Sequence, residues 1–439
     1  MRESARPRRV LVVAFHYPPD STSSGMLRTL KFTRYLAEFG WNPAVVTVDP
    51  KHYDTCDERL NQQIPSDVQV VRTPAINTKK AFSIKGRYLK ACAIPDRFIG
   101  WLPYAVSAGR KLIREWEPNA IYSTSPIATS HMVAWTLKRM TGLPWVADFR
   151  DPWTEPELEE NPRAPLFRLE SHLERQVLKL ADRLVFTTAP LRDYVLAHAN
   201  TDLADKAVVI PNGYDEDDFA ELPRILPERS PVLLTHTGLV DENYRSPVPL
   251  LRCIASLCDV GHVRRDGIRI QFVGGGAYVR SEAFRELVSE LALDEVVIVR
   301  DRVKYTESLE LQLRSHVLVL LQCGDDTRTL IPAKAFEYLR VGRPVLALVP
   351  DSATSALLNE TGGATVVDPA DEGAIRTALL ALIARAQAGN WSSTVNTAAL
   401  QRYRRRELTL RLADVLSEAS GLGRAEDGEW ALPANAARH

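Results

Sequence analysis

The stretch VLVVAFHYPPDSTSSGMLRTLKFTRYLAEFG, residues 10–40, decides the fold class. Its first six residues are all apolar, which is typical of a strand buried on both faces. Residues 26–39 then repeat apolar side chains at helical spacing, and Gly40 is expected to stop the helix. A buried strand that leads into a helix indicates a parallel sheet, because parallel strands need a long crossover connection.

The same unit recurs along the chain in two runs, separated by an acidic, proline-containing stretch at residues 215–231. We therefore predict an α/β fold with two Rossmann-like, doubly wound domains and a cleft between them. The predicted boundaries are an N-terminal domain at 1–222, a C-terminal domain at 223–400, a C-terminal helix packing back toward the N-terminal domain at 401–424, and a tail at 425–439. The predicted strands are 10–15, 43–48, 68–72, 120–123, 145–148, 183–187 and 207–210 in the first run, and 232–237, 268–273, 296–299, 317–321 and 344–348 in the second.

The amino-acid composition argues against several classes of protein. The 439 residues include 55 Lys plus Arg and 55 Asp plus Glu, so no overall basic excess points to nucleic acid. The five cysteines are scattered without a CxxC pair, which is typical of a reduced chain without a disulfide framework or a zinc site. No apolar run reaches the roughly 18 residues of a membrane span. We predict a cytoplasmic protein without a metal site or a bound cofactor.

The loop after the first strand, residues 16–25, has one glycine, Gly25. A dinucleotide-binding loop would carry a GxGxxG pattern, so binding of NAD or FAD in that style is disfavoured. Two interpretations stay open for this loop. It lets a phosphate approach backbone N–H groups near Gly25, or it is a plain connection between strand and helix.

The segment DFRDPW, residues 148–153, follows a predicted strand. Asp148 and Asp151 flank Arg150, and such a cluster can orient sugar hydroxyls or stabilise developing charge. We take these three residues as candidate catalytic groups. The alternative is a self-satisfied ion-pair turn with Trp153 packed beneath it.

Three loops of the second run carry the candidate residues for a phosphorylated ligand. Gly238 follows a strand and leaves room for a ligand, Arg245 offers a cation suited to a pyrophosphate, and Gly275 lies in a triple glycine after another strand. Pro332 marks a helix start that favours an anion. Lys334 and Glu337 then share one helix face and suit a phosphate and ribose hydroxyls, although an ordinary helical ion pair fits as well.

One local charge feature remains, between residues 79 and 114, where basic and aromatic residues alternate. This pattern favours a membrane surface or a lipid-linked phosphate, and a solvated face with a few core aromatics is the alternative. The candidate residues of this patch are Lys79, Lys80, Arg87, Arg97 and Trp101.

Together these segments resemble the GT-B glycosyltransferases of family 4. The resemblance rests on the opening stretch, on GLPWVADFRDPW (142–153), which is similar to one branch of the family, on ADRLVFTT (181–188) with VVIPNGYDEDDF (208–219), and on IPAKAFEYLRVGRPVLAL (331–348). It covers residues 9–421. In this order and spacing the four blocks are specific.

The resemblance implies a nucleotide-sugar donor held mainly by the second domain, an acceptor held by the first, and metal-independent transfer with retention at the anomeric carbon. It assigns Gly25, Arg245 and Lys334 to the donor phosphates and Glu337 to the ribose. With the basic patch, it favours a lipid-linked hydroxyl acceptor in cell-surface polysaccharide assembly, on the inner face of the membrane.

Two departures from the family pattern keep other functions open. Thr329 stands where members often carry a second acid, and Arg150 stands where many carry a histidine. A nucleotide-sugar epimerase, a non-catalytic partner of another transferase and an NAD-dependent dehydrogenase are the rival hypotheses. The dehydrogenase is the weakest, because the first loop lacks the glycine pattern.

Overall fold

The computed structural model describes residues 8–22, 25–81, 93–154, 165–199, 202–324 and 327–423. Within these ranges the chain forms two parallel sheets, of seven and six strands, with helices between the strands. The predicted α/β class with two doubly wound sheets is therefore confirmed.

The first sheet has the strand order β3-β2-β1-β4-β5-β6-β7. The order reverses at β1, where Val10 lies beside Pro43 of β2 on one side and beside Ala120 of β4 on the other. In such sheets, ligands bind at the carboxyl ends of the strands near this reversal. The strands are β1 (Arg8–Val13), β2 (Trp41–Val48), β3 (Gln69–Thr73), β4 (Ala120–Thr124), β5 (Trp145–Phe149), β6 (Arg183–Phe186) and β7 (Ala207–Val209).

Helices cover both faces of this sheet. Leu11 and Val13 of β1 belong to one apolar cluster, whereas Val10 and Val12 belong to the cluster on the other face. This alternation follows from the two-residue period of a strand and explains why residues 10–13 of β1 are all apolar. The described helices of this half are α1 (Met26–Tyr35), α2 (Thr78–Ala81), α3 (Leu102–Trp116), α4 (Thr129–Thr141), α5 (Pro165–Leu180) and α6 (Ala189–Ala199).

The second sheet has the strand order β10-β9-β8-β11-β12-β13 and reverses at β8. Its strands are β8 (Val232–Thr237), β9 (Ile268–Val273), β10 (Val297–Arg300), β11 (Val317–Leu321), β12 (Val345–Leu348) and β13 (Ala364–Val367). The helices that follow the first half are α7 (Asp217–Ala220), α8 (Val248–Asp259), α9 (Glu282–Glu290), α10 (Tyr305–Arg314), α11 (Ala333–Val341), α12 (Ala353–Thr361), α13 (Glu372–Gln387), α14 (Thr397–Gln401) and α15 (Arg405–Ser420).

The chain passes between the two sheets twice. After the second sheet it returns to the first, where Leu408, Leu412 and Leu416 of α15 are buried in the cluster that contains β1. The two passages are hydrogen-bonded to each other, because Tyr214 donates its N–H to the carbonyl of Tyr403 at 3.1 Å and accepts from the N–H of Arg405 at 2.8 Å.

Ion pairs fix the start of the stretch that the sequence predicts to be a linker. Lys31 of α1 lies 2.7 Å from a carboxylate oxygen of Asp215 and 2.6 Å from one of Asp218, and all three side chains are largely buried. The first residues of this stretch are thus held against the first domain, inside its predicted boundary of 1–222. The acidic run there is paired with the first domain rather than solvated.

Most element boundaries agree with the sequence-based ones to within two residues. Two differences stand out: β13 is not among the predicted strands, and α1 ends at Tyr35, after which residues 36–39 continue as a 3₁₀ turn before Gly40, whose φ is 76°. Among the described residues, no helix is both long enough and apolar enough to cross a membrane.

Candidate functional site

The carboxyl-end loops of the two sheets meet in direct hydrogen bonds. Thr188, which follows β6, donates its hydroxyl to the carbonyl of Thr329, which precedes α11, at 2.5 Å. Arg302, which follows β10, donates to the carbonyl of Ser21 in the loop after β1. The loops singled out from the sequence therefore surround one cleft between the domains.

Gly25 and Arg150 are brought together on the first-domain side of this cleft. A Cβ atom at Gly25 would overlap Nη2 of Arg150, so only glycine leaves room for the guanidinium. The Arg150 side chain is anchored to the loop after β4, where Nη1 donates to the carbonyl of Ser125 at 3.0 Å. Its Nε is buried without a hydrogen-bond partner in the described part of the chain. Burial lowers the pKa of Arg150, because it disfavours the charged form of the guanidinium. An anionic ligand would compensate this buried charge and supply a hydrogen-bond partner.

Asp148 is fully buried, whereas its predicted catalytic role requires contact with a ligand. Its carboxylate accepts two hydrogen bonds from Arg28 of α1, at 2.8 and 2.9 Å, one from Tyr122 and one from Thr124. Both Asp148 and Arg28 are fully buried. Burial alone would raise the pKa of Asp148, but the Arg28 guanidinium holds it below its usual value. The catalytic role stays a prediction, and these contacts favour a structural one.

Asp151 has a different environment. It is partly exposed, and no side-chain hydrogen bond to its carboxylate is found among the described residues. Burial raises its pKa, the guanidinium of Arg150 opposes that rise, and the charge of Asp148 adds to it. The oxygens of this half-buried carboxylate can accept a hydrogen bond from a ligand hydroxyl, and its charge can stabilise a positive charge on a ligand.

Lys334 and Gly238 form the matching pair on the second domain. A Cβ at Gly238 would stand 2.9 Å from Nζ of Lys334, and the φ of 95° at Gly238 also favours glycine. Nζ lies 3.2 Å from Nε2 of the fully buried His236. Burial, and then repulsion from Arg245, lower the pKa of Lys334 to about 7.

Arg245 lies close enough to Lys334 to repel it, but it has a partner of its own. Its Nη1 atom lies 3.1 Å from the carboxylate of Asp241, and both side chains are about one-third exposed. The other carboxylate oxygen of Asp241 accepts from the backbone N–H groups of residues 243–245, which fixes this loop. The Arg245 guanidinium therefore has donors left for an anion.

Glu337 faces a small cavity between the domains. Its carboxylate accepts from the hydroxyl of Tyr305 at 3.2 Å, and that hydroxyl lies 3.4 Å from Asp218. Burial raises the pKa of Glu337. Lys31 and Arg405 line the same cavity, so the residue assigned to the ribose lies against groups from both domains.

Gly275 has a packing reason to be glycine, because a Cβ there would stand 2.7 Å from a methyl carbon of Val279. Its carbonyl also accepts from the N–H of Val240 at 3.0 Å. Its donor-binding role stays a prediction.

The residues of the basic patch differ in exposure, and the role of the patch stays a prediction. Lys79 and Lys80 are exposed, and Arg97 is about half exposed and lies 3.8 Å from Asp54. Arg87 lies outside the described residues. The prediction is wrong for Trp101, which is fully buried and donates its indole N–H to Thr73 at 2.7 Å. Its large apolar ring and satisfied N–H place it in the core.

His131, on α4, is a core residue. It is fully buried, and its Nδ1 lies 2.8 Å from the hydroxyl of Ser123. Burial lowers its pKa to about 4.

The sequence analysis missed several residues around the cleft. Arg28 lies inside the predicted helix at residues 26–39 and gave no further signal, and nothing in the sequence singled out Tyr305. Arg405 lies far along the chain in α15, yet it is buried at the interdomain cavity. His16 and Asp20 are paired at 2.6 Å in the first loop. Their spacing of four residues beside a strand end was the signal that could have found them.

The two sides of the cleft thus offer complementary chemistry. Arg150 at Gly25 and Lys334 with Arg245 at Gly238 can neutralise a polyphosphate from two directions. Asp151 and Glu337 offer carboxylate oxygens to hydroxyl groups. The described residues include no group of three or more metal-ligating side chains.

Comparison with known proteins bears on the fold and on the first domain. Residues 25–213 match the family model described as a glycosyl transferase 4-like domain. The chain is 26% identical over 183 residues to a D-inositol 3-phosphate glycosyltransferase of Streptomyces scabiei, which is 40% of this chain and 40% of that protein. It is also 26% identical over 261 residues to the protein of that name from Streptomyces avermitilis, 53% and 55% of the two chains. The chain thus spans about half the length of these relatives.

Three solved structures resemble nearly the whole chain. Sucrose-phosphate synthase from Thermosynechococcus elongatus has a TM-score of 0.62 at 16% identity, over 94% of this chain and 98% of that one. Anabaena Alr3699/HepE in complex with UDP has 0.60 at 14%, over 94% and 100%. The α,α-trehalose-phosphate synthase from Burkholderia xenovorans in complex with glucose-6-phosphate has 0.65 at 14%, over 93% and 100%.

The fold is GT-B. The predicted fold class is thus confirmed, and residues 25–213 are similar to a glycosyl transferase 4-like domain. Membership of the DFRDPW branch stays a prediction.

Proposed function

We propose that the protein is a retaining glycosyltransferase that moves a sugar, a hexose or a related one, from a nucleotide-diphosphate sugar to a hydroxyl acceptor. One observation carries the proposal. A guanidinium from the first domain and an ammonium from the second each lie against a glycine at the same cleft, Arg150 at Gly25 and Lys334 at Gly238. This arrangement suits a diphosphate held between the domains.

In the proposed reaction, the bond between the anomeric carbon and the diphosphate oxygen breaks, and a bond to the acceptor oxygen forms on the same face of the sugar. The leaving phosphate takes the acceptor's proton, so no enzyme base is required, and the direct same-face transfer requires no enzyme nucleophile. Arg150, Lys334 and Arg245 stabilise the charge that grows on the leaving group. Asp151 stabilises the positive charge that develops on the sugar ring.

We further propose a lipid-linked acceptor, which would place the enzyme at the inner face of the membrane in cell-surface polysaccharide synthesis. Ile76 and Tyr104 are exposed large apolar residues near Lys79 and Lys80. The segments that carry them are adjacent, because Thr78 donates its N–H to the carbonyl of Arg97 at 2.9 Å. Apolar side chains beside exposed lysines suit an anionic membrane surface.

Vesicle binding tests this acceptor proposal. The Lys79→Glu/Lys80→Glu protein should sediment less with phosphatidylglycerol vesicles than the wild type, and Arg264→Glu, which is on an exposed turn before β9, should behave as wild type. Equal sedimentation of wild type and the double variant would remove the membrane proposal.

Thermal-shift titration tests the donor site. UDP-glucose, GDP-mannose, other nucleotide sugars and the free diphosphates are added without metal and then with magnesium, since binding raises stability by mass action. Metal-independent stabilisation by one diphosphate and its sugar is expected. Arg245→Ala, Lys334→Ala and Glu337→Ala should each weaken it, and undiminished affinity in all three would remove the proposed donor site.

Two other functions can be separated from this one by experiment. A putative UDP-N-acetylglucosamine 2-epimerase from Listeria monocytogenes shares the fold, with a TM-score of 0.53 at 12% identity. An epimerase would convert the nucleotide sugar without an acceptor, so product analysis with donor alone separates the two. The carbonyl of Thr329 is bound by Thr188, and the Thr329 side chain replaces the expected acid. Donor binding without turnover on any acceptor would favour a non-catalytic partner.

A further inference from the structure

The loop after β1 contains a histidine–carboxylate pair. Nδ1 of His16 lies 2.6 Å from Oδ2 of Asp20, and Asp20 is fully buried. The other oxygen, Oδ1, accepts from the backbone N–H of Thr22 at 2.8 Å. Burial alone would raise the pKa of Asp20, but the hydrogen bonds from His16 and Thr22 bring it below its usual value. Asp20 is therefore a carboxylate at neutral pH.

This pair determines the chemistry of the far side of the imidazole. An ionised carboxylate only accepts hydrogen bonds, so Nδ1 of His16 carries a proton. In the neutral ring, Nε2 then has a free lone pair and can only accept. Nε2 can therefore accept a hydrogen bond from a hydroxyl group.

The ring is held in place from its other sides as well. It stacks on Tyr53, with ring centroids 6.3 Å apart and planes inclined by 23°, and it meets Phe15 edge to face at 5.3 Å. The Tyr53 hydroxyl donates to the carbonyl of Phe15 at 2.8 Å, which fixes the stacking partner. The imidazole is therefore preorganised.

His16 differs from the fully buried histidines in the surroundings of its second ring nitrogen. Both ring nitrogens of the fully buried His236 lie within hydrogen-bond distance of backbone carbonyls, at 2.9 and 3.2 Å. The His16 side chain is 20% exposed, and in the described ranges its Nε2 has no hydrogen-bond partner and is not sealed from solvent. Nε2 of the core residue His131 also has no partner among the described residues, but it is sealed from solvent, so access distinguishes His16.

The pair also lies where a substrate is expected. His16 follows β1, the strand at which the order of the first sheet reverses, and ligands bind at that point in doubly wound sheets. The same loop contacts the second domain through Arg302 and the carbonyl of Ser21. His16 therefore lies beside the interdomain contact.

We infer that His16 binds a sugar or polyol hydroxyl of a substrate through Nε2, with Asp20 as the residue that positions its ring. The inference rests on the proposed glycosyltransferase function and names a hydroxyl-recognition residue for that site. The hydroxyl belongs to the acceptor or to the transferred sugar, and the kinetic arms of the test separate these sources.

The kinetic test compares two substitutions of His16 in the full chain. His16→Asn places an amide N–H near Asp20 and removes the outer nitrogen, whereas His16→Gln places an amide near the Nε2 position. The control is His262→Gln, an exposed histidine in the turn after α8, at the opposite edge of its sheet. The donor is the nucleotide sugar that stabilises the wild type. The acceptor probes are D-inositol 3-phosphate, glucose 6-phosphate and a polyprenyl-diphosphate-linked sugar in micelles.

We expect His16→Asn to raise one KM about tenfold, the loss of one neutral hydrogen bond. His16→Gln should recover part of this loss, and kcat should change less than KM. A higher KM for the acceptor assigns the hydroxyl to the acceptor, and weaker donor binding assigns it to the sugar. Unchanged KM values and donor affinity in His16→Asn, with the melting temperature of the wild type, would overturn the inference.

Nitrogen-15 NMR of the histidine rings tests the inference in the wild-type protein, without a substitution at His16. The neutral ring of the wild type should carry its proton on Nδ1, and saturating donor with acceptor should shift the Nε2 resonance. Asp20→Asn should move the proton toward Nε2, because an amide can donate to Nδ1. A wild-type ring protonated on Nε2, or insensitive to both substrates, would also overturn the inference. Absence of donor binding and turnover in the wild type would instead contradict the proposed function, and the inference with it.

Discussion

Arg150 occupies the space that a side chain at Gly25 would need. Nη2 of Arg150 stands where a Cβ at residue 25 would be placed, and the two residues come from the loops after β5 and β1. One glycine therefore lets a cation from a distant loop reach the loop that precedes α1. The glycine and the arginine form one feature of the cleft.

Gly25→Ala tests this pairing. The added methyl group must displace the Arg150 guanidinium, which is the far end of a flexible side chain, so the unfolding free energy should fall by less than about 1 kcal/mol. Donor affinity or turnover should fall about tenfold, the value of one charge-assisted contact. Gly267→Ala is the matched control, since its Cβ would meet nothing closer than 3.7 Å. A variant with wild-type affinity and turnover would separate Arg150 from the donor.

The ammonium group of Lys334 predicts a pH dependence of donor binding. Its pKa of about 7 in the free protein means that it loses its charge as the pH rises from 6 to 8. An anionic diphosphate binds the charged form, so affinity for UDP should decrease over this range, by up to roughly tenfold. Isothermal titration of UDP at several pH values measures the change.

The control for this prediction is Lys334→Arg. Arginine stays charged throughout the range, so the dependence on Lys334 disappears while the titration of the phosphate itself remains. If Lys334→Arg and the wild type have the same slope of affinity against pH, Lys334 does not contact the diphosphate.

The Arg28–Asp148 pair predicts a large stability effect. Arg28→Ala leaves the buried Asp148 carboxylate unpaired and should lower the unfolding free energy by about 3–5 kcal/mol. Arg34→Ala removes a partly exposed partner of Asp217 from the same helix and should cost less than about 1 kcal/mol. Denaturant titration compares the two, and similar losses would contradict the buried pair.

The same pair predicts that the free energy of unfolding decreases at acidic pH. The folded-state pKa of Asp148 is below its unfolded value of about 3.9, so its contribution is present at neutral pH and is lost as the pH falls through the folded value. Asp148→Asn should flatten this acid limb of a stability profile. An Asp148→Asn protein that is as stable as the wild type but inactive would restore the catalytic role.

Asp151→Asn keeps the shape of the side chain and removes its charge. If Asp151 stabilises charge on the sugar, turnover should fall by tenfold or more while donor affinity changes little. Steady-state rates and thermal-shift affinities measure the two effects. Unchanged turnover would end the assignment of Asp151 to the reaction.

Much of the fold was predictable because its signals are local. Buried strands such as Val232–Thr237 and Ile268–Val273 are short apolar runs bounded by breakers, and the structure has these bounds. The loops that form the cleft were predictable too, since parallel strands bring their carboxyl ends to one edge.

The contacts within the cleft were not predictable from one sequence. Arg28 and Asp148 are 120 positions apart, and nothing local marks them as partners. Trp101 precedes an amphipathic helix, and periodicity alone does not say which side of that turn meets Thr73 and the core. His16 and Asp20 are close in sequence, but their geometry depends on Tyr53 and Phe15 around them.

The pairing of the two interdomain passages at Tyr214 and Tyr403 limits how the domains can move. Two adjacent passages joined by backbone hydrogen bonds leave the domains less freedom to rotate than a single tether would. A Cβ at Gly213 would overlap the Tyr403 carbonyl, so glycine at this position lets the two passages stay in contact. Any opening of the cleft would then have to separate Thr188 from Thr329 and Arg302 from Ser21 while the two passages stay joined.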